Sequence, residues 1–503
     1  MTSFPTLSPS TAFHHGSADR SSLLAVLSLL VALGAPSAPA QANTFDEIDI
    51  GTRIIDADHV RGPKWTRLEF EPMTTGSHVI SVVSSSDADI RLSVFRKSDD
   101  WDDEDGLRIG STSGSDAPRR WEGVLDKSKH YYIGVWASEG SAEFTANIKA
   151  VPTPKTLADL STSPMESWQV KGVANAVLTA GDVLFVGGDF TAVYNTDGAS
   201  FPRSHLTGID RETGEPTSFS PMLDGPVYAL ELSPDEKTLY VGGAFRKAEG
   251  KSRKYIAAYD VATGELTDFD PPSPNKALRS IAVDGDKVYI AGLFKKIGGE
   301  RRDHVAALEA GTGALDPKFD VSVNGKVRAL LMGVDRLWIG GEFTKVGGVR
   351  QRGIGAVDPV DGSRQATDDV AYPVIALSAS DSRLFIAGGG PGGRAAAFSR
   401  VTGTELWEIS SDGNFQAVDH DGGRFVYFGG HYEKIEGNPD IDRLTRHYVE
   451  SGKTDVSWLP RVNGMRSINA IDVTSDGINI GGDFTKVDGD RHRGFAIIPG
   501  QTR

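Results

Sequence analysis

From residue 168 to residue 499 short apolar runs and glycine-rich gaps alternate at a nearly constant interval. Seven runs share one form: Leu184–Phe190 (LFVGGDF), Leu239–Phe245 (LYVGGAF), Val288–Phe294 (VYIAGLF), Leu337–Phe343 (LWIGGEF), Leu384–Gly390 (LFIAGGG), Val426–Tyr432 (VYFGGHY) and Ile478–Phe484 (INIGGDF). Ahead of each lies a second run with small residues in one column, Ala176, Ala229, Ser280, Ala329, Ala376, Ala417 and Ala470. The next residue is apolar every time: Val177, Leu230, Ile281, Leu330, Leu377, Val418 and Ile471. Turn glycines at Gly214, Gly264, Gly313, Gly362, Gly403 and Gly452 are spaced 50, 49, 49, 41 and 49 residues apart. In the second repeat the strands expected are Val227–Leu230, Thr238–Gly242, Tyr255–Tyr259 and Leu266–Phe269. Four short strands in each repeat of this length predict an all-β, seven-bladed β-propeller over residues 168–499, its small column nearest the axis where blades converge.

The last repeat ends after its third strand, at Phe495–Ile498. The stretch Ser167-Trp168-Gln169-Val170 matches Ser457-Trp458-Leu459-Pro460 of the preceding turn of the repeat. Trp168–Val170 is therefore expected to supply the missing strand and close the ring, leaving no open sheet edge.

Before this array the period is two. Ile90, Leu92 and Val94 alternate with Arg91 and Ser93, and Tyr131, Ile133 and Val135 follow the same rule, as do Phe144, Ala146 and Ile148. Clusters of Gly, Ser and Asp separate these runs, which predicts a small N-terminal β-sandwich, jelly-roll-like in kind, over residues 43–150. Residues 151–167 contain three prolines and no period, and read as a linker. Residues 1–42 read as an export signal. Arg20 precedes the eleven-residue apolar run Leu23–Leu33, and Ala40-Gln41-Ala42 fits a small-residue cleavage site. Eleven residues are too few to span a bilayer, which takes about 20. The expectation is a secreted or periplasmic protein with no membrane span. The chain has no cysteine, hence no disulfide. A net charge of −15 argues against nucleic acid as a partner, for which the footprint is a basic domain.

Two resemblances bear on this reading. Residues 44–150 resemble the pre-peptidase C-terminal family of bacterial secreted accessory modules, through the SDADIRLSVF, KHYYIGV and EFTANI segments. That resemblance implies a module riding beside a main domain and supplies no catalytic residue. The repeat GGxFTxVxGxxR, fullest at Gly340–Gly348 and Gly481–Gly489, resembles a family of secreted bacterial propellers built on GGxFT repeats. It implies surface display and binding and brings no catalytic set. The partner expected is a polysaccharide or a surface protein.

Candidate chemistry lies where the blades differ. Two positions before the inner apolar residue the column reads Asn175, Tyr228, Arg279, Arg328, Ile375, Gln416 and Asn469. Alternation of side chains along a strand places this column on the core face, one step nearer the mouth. Its polar members suggest a hydrogen-bonding funnel for a ligand. Trp101, set among acids, is the candidate for stacking on a sugar ring. The run Asp99–Gly106 invites a calcium reading, with Asp99, Asp103 and Asp105 as ligands, but Trp101 occupies the first ligand position of the calcium-loop pattern. Calcium is the one cofactor suggested. In the sixth repeat His431, Tyr432 and Arg446 form a candidate catalytic set, since a base beside arginines could act on a uronate as a polysaccharide lyase does; the alternative to a binding protein is a lyase or hydrolase acting on an anionic polysaccharide in the funnel. An arginine recurs in every repeat (Arg203, Arg253, Arg302, Arg352, Arg394, Arg446, Arg493), which points to a structural role within its own loop, with Asp189, Glu342 or Asp483 as candidate partners.

Overall fold

The computed structural model describes strand backbone between residues 29 and 150, and residues 160–500 except 334–335, 381, 401, 439–440, 442 and 466–467. Every element among the described residues is a strand, and no helix is long and apolar enough to cross a membrane. In the N-terminal region, β1 (Leu29–Ala32), β2 (Thr52–Val60), β3 (Trp65–Pro72), β4 (Gly76–Ser84), β5 (Ile90–Arg96), β6 (Leu107–Gly114), β7 (Arg119–Leu125), β8 (Tyr131–Ala137) and β9 (Glu143–Ala150) form two antiparallel sheets. Their orders are β1-β9-β4-β7 and β2-β3-β8-β5-β6. β1 falls inside the apolar run read as an export signal and pairs in the uncut chain with β9, Leu29 opposite Ala146.

The repeats form successive antiparallel sheets. The first holds β10 (Gln169–Ala180), β11 (Val183–Tyr194) and Leu206–Asp210. The first strands of the sheets that follow are Val227–Leu232, Leu278–Asp284, Val327–Met332, Val374–Ala379, Phe415–His420 and Ile468–Thr474. Each lies against the first strand of the next sheet, and Ile468–Thr474 lies against β10, so these innermost strands complete a circuit. The result is a β-propeller. Apolar cores sit between neighbouring sheets; one, for example, joins Tyr289, Ala307 and Phe319 to Val327, Ile339 and Phe343.

The GG pair and the aromatic after it have separate tasks in this packing. A Cβ at Gly340 would strike Val374 of the next sheet, and one at Gly341 would overlap the carbonyl oxygen of Lys326 on the adjacent strand. The first glycine therefore admits the neighbouring blade and the second admits a bend in its own. Phe190, Phe245, Phe294, Phe343, Tyr432 and Phe484 are all buried. Two-residue hairpins follow, such as Lys345–Val346 with Val349–Arg350, turning at glycines with positive φ. The turn glycines of the sequence pattern, Gly214 to Gly452, all have φ between 68° and 79°, a region in which only glycine is unstrained.

Two expectations need correction. The fourth strand is reduced in several repeats to a single bridge: Ile209 to Pro216, Tyr259 to Leu266, Leu308 to Leu315 and His447 to Thr454. Pro216 occupies one of these positions and Pro317 lies two residues past another, and neither can donate to a ladder. Ring closure is also shifted along the chain. Gln169 and Val170 extend β10 and pair with Tyr194 and Val193. The strand edge Phe495–Pro499 is met instead by earlier residues: Ser161 N–H donates to Pro499 O at 3.0 Å and Met165 N–H to Ile497 O at 2.9 Å. Leu160 bridges Gly500, and Trp458 Nε1–H donates to Ser161 O at 2.9 Å. Part of the segment read as a linker is thus integral to the propeller.

Candidate functional site

Each first strand carries an irregularity on the same column, and β10 has a second one between Val170 and Gly172. Val227 pairs with Gly243 and Ala229 with Gly242, leaving Tyr228 without an opposite residue. The same skip occurs at Asn175, Arg279, Arg328, Ile375, Gln416 and Asn469. These residues are the extra members of β-bulges, which re-aim a side chain and bend the strand. The sequence argument placed them on the core face by simple alternation. The bulge breaks that alternation, and all seven are half-buried rather than packed in the core.

Contacts link neighbouring members of the column along one arc. Asn469 Nδ2 donates to Asn175 Oδ1 at 3.4 Å, across the junction of last and first blades. Asn175 Nδ2 donates to Val227 O at 3.2 Å. The Arg279 guanidinium lies 4.0 Å from the centroid of the Tyr228 ring, a cation–π contact worth about 0.5–2 kcal/mol. Arg328 Nε donates to Glu342 Oε1 at 2.7 Å, and Lys326 Nζ to Glu342 Oε2 at 3.0 Å. Burial pushes the Glu342 carboxyl up, but the hydrogen bonds from Arg328 and Lys326 outweigh it and hold it below the ordinary range. Burial pulls the Arg279 pKa down, and the nearby charge of Arg328 adds to the fall; an arginine so placed still carries its charge. Lys326 and Arg328 share Glu342, whereas Arg279 has no carboxylate partner among the described residues. The arc ends at the apolar Ile375. Beyond it Gln416 Nε2 lies 3.4 Å from His431 Nδ1.

The sixth-blade set does not converge. His431 Nε2 accepts from Asn414 N–H at 3.4 Å, so both ring nitrogens lie beside blade-six partners. Tyr432 is fully buried, its hydroxyl 2.9 Å from Phe428 O and 2.8 Å from Thr445 Oγ1. Arg446 is buried against Phe425 and Trp458 and ion-paired with Asp455 at 2.7 Å. Tyr432 is thus engaged in core packing and Arg446 in an ion pair, away from His431. The recurrent arginine is structural as expected, but its partners differ from those proposed: Arg253 meets Asp270, Arg352 meets Asp369 and Arg394 meets Glu408. Glu342 serves Arg328 instead, and Asp189 lies 3.7 Å from His205. These carboxylates follow the turn glycine or lie near it, a spacing the repeat alignment contained. Trp101, Asp99, Asp103 and Asp105 lie outside the described residues. Among the described residues no three His, Asp or Glu side chains gather as metal ligands.

No family model matches the chain, and no curated protein matches it. Among solved structures it is similar to the WD40 β-propeller domain of Doa1, with a TM-score of 0.43 and 10% identity. The match covers 67% of this chain and 98% of that one.

Proposed function

We propose that this chain is an exported binding protein, in which an N-terminal β-sandwich precedes a seven-bladed propeller that recognises an anionic glycan or envelope polymer at its axial mouth. The seven-blade reading is supported by the circuit of first strands, and the sandwich by the two antiparallel sheets before it. The observation that carries the binding reading is Arg279. Its guanidinium is half-buried, stacked on Tyr228, adjacent to Arg328 and without a carboxylate of its own among the described residues. A carboxylate or sulfate entering between the two arginines would supply the missing counter-charge through planar, bidentate hydrogen bonds. In a chain of net charge −15 a local positive mouth also draws an anionic polymer against the overall field. A lyase needs a base and a charge-neutralising group converging on one exposed point. Burial of Tyr432 and Arg446 weighs against that alternative. A binding screen over anionic glycans, read beside an assay for unsaturated product, separates the two: this reading expects binding without product.

A further inference from the structure

The connections that follow the GG pairs carry charge unevenly. Between the buried aromatic and the recurrent arginine of the second blade, Arg246, Lys247, Lys251 and Arg253 oppose Glu249 alone, a net +3. The same stretch is also +3 in the third blade (295–302) and the fourth (344–352). It is 0 in the first blade (191–203), −1 in the sixth (433–446) and +1 in the fifth (391–394) and seventh (485–493). The hairpins of blades two to four stand at the end of the sheets where the bulge column lies. Each leaves its second strand at the glycine paired with the start of the first strand: Gly243 with Val227, Gly292 with Leu278, Gly341 with Val327. Side chains of the approach segments fix the hairpin backbone. Asp224 Oδ1 accepts from Lys247 N–H at 2.8 Å, Asn275 Oδ1 from Lys296 N–H at 3.2 Å and Asn324 Oδ1 from Lys345 N–H at 2.8 Å. These three lysines are exposed, and none forms an ion pair among the described residues. Carboxylates nearby are engaged by arginines instead: Asp270 by Arg253 at 2.9 Å, Asp303 by Arg301 at 2.7 Å and Asp369 by Arg352 at 2.9 Å.

We infer that blades two to four carry a basic track for an anionic polysaccharide that bears a carboxylate or sulfate on successive units. The inference rests on the axial-mouth reading and extends it. The track starts at half-buried Arg279 and Arg328, passes exposed Lys276 and Lys326, and ends at the exposed hairpin lysines. Cations at two depths select the shape of the partner. A thin chain reaches the recessed arginines and the exposed hairpins together. A single small anion fills the mouth and gains nothing from the lysines, and a flat anionic surface meets the hairpins alone. Lysine ammonium groups are point charges on flexible stems and can follow a chain, whereas the arginine forks hold one group in a fixed geometry. In a chain of net charge −15 the other blades repel a polyanion and confine it to this sector. Single-stranded nucleic acid is also a thin polyanion, but its binders stack bases on aromatic side chains along the groove. Among the described residues the exposed aromatic is Phe201, in the first blade and outside the sector. Binding through many weak charges makes affinity rise with chain length and fall with salt.

The test titrates the full chain with oligogalacturonates and heparin fragments, each as a disaccharide and as a long oligomer, by calorimetry at low and physiological salt. A long oligomer should bind about tenfold or more tightly than its disaccharide. Lys247→Gln, Lys296→Gln and Lys345→Gln combined should weaken the long oligomer by about three- to thirtyfold and lower its salt dependence, with the disaccharide unaffected. Lys434→Gln with Lys486→Gln, at the same hairpin position in blades six and seven, is the control and should change neither. If the disaccharide binds through Arg279 and Arg328 but length adds nothing, or the triple variant behaves as the control does, the track is overturned and the axial mouth stands. If the long oligomer needs the lysines while the Arg279→Ala, Arg328→Ala variant binds the disaccharide as the parent does, the track stands and the axial reading falls. If neither polymer binds at either length, both fall. A single-stranded DNA oligomer of equal charge that binds more tightly through the same lysines would overturn the polysaccharide assignment.

Discussion

Leu160→Ala probes how the ring is closed. In sequence Leu160 belongs to a proline-bounded connector, where truncating a side chain would change stability by no more than about 0.5 kcal/mol. In the structure it is 6% exposed and packs in the core of the last blade with Trp458, Ile478 and Ile498. Its backbone bridges Gly500, and the next residue holds both Pro499 O and the Trp458 indole. Removing a buried leucine side chain costs its transfer free energy plus a term for the cavity left, about 2–5 kcal/mol. The site lies at the edge of the core and can partly collapse, so the lower half of that range, about 2–3 kcal/mol, is expected. For a domain of about 340 residues that is a fall in Tm of roughly 3–4 °C. The assay is thermal and urea unfolding of the full chain followed by far-UV circular dichroism. Ser163→Ala, exposed and two residues from the Ser161 contact, is the control and should leave Tm unchanged. A Leu160→Ala melt that coincides with the control would refute closure through residues 160–165.

Gly341→Ala should destabilise by about 2–3 kcal/mol, because the new Cβ overlaps backbone at Lys326 and forces the Arg328 bulge to move; Gly348→Ala, at φ +79° with open space around it, should cost about 1–2 kcal/mol, and equal losses in urea unfolding would contradict the bulge argument. Half-buried Asp472 and buried His447 should tilt the pH dependence of stability in opposite directions. Burial raises the Asp472 pKa to about 6, with Thr179 and Asn479 bound to its carboxylate; a native pKa above the unfolded value gives stability that is full below about pH 4 and lost as pH rises through 6, so Asp472→Asn should be relatively more stable at pH 7.5 by about 2–3 kcal/mol. Burial lowers the His447 pKa to about 4; its contribution is full above pH 6.5 and lost as pH falls toward 4, so His447→Gln should flatten the acid limb, and an unchanged limb would contradict a neutral buried imidazole.

The blade pattern was legible because packing imposes it on residue type. Small residues at the axis, glycines where strands cross closely and a buried aromatic behind them leave no other choices, and the turn glycines announce their own backbone. What alternation could not show was the bulge. Arg279 and Tyr228 look like ordinary strand positions in sequence, and only the register against the paired glycines reveals that each stands outside the ladder. Closure was half-legible: the missing strand was evident from Phe495–Ile498, but the similarity of Trp168 to Trp458 pointed to the wrong partner. Trp458 does take part, through its indole bond to Ser161, while Trp168 stacks on Phe201. The sixth-blade residues drew notice because they differed from the repeat. Tyr432 differs only in carrying a hydroxyl that the core satisfies through Phe428 and Thr445.

The central claim is that the arginine arc at the axial mouth binds an anionic glycan. Its most direct measurement is the affinity of the full chain and of the Arg279→Ala, Arg328→Ala variant for the best anionic glycan of a binding screen, at low and physiological salt. Loss of two charge-assisted contacts, each worth about 1.5–3 kcal/mol, should weaken binding by at least a hundredfold and remove most of its salt dependence. A double variant that binds with the parent's affinity and salt dependence would contradict the claim.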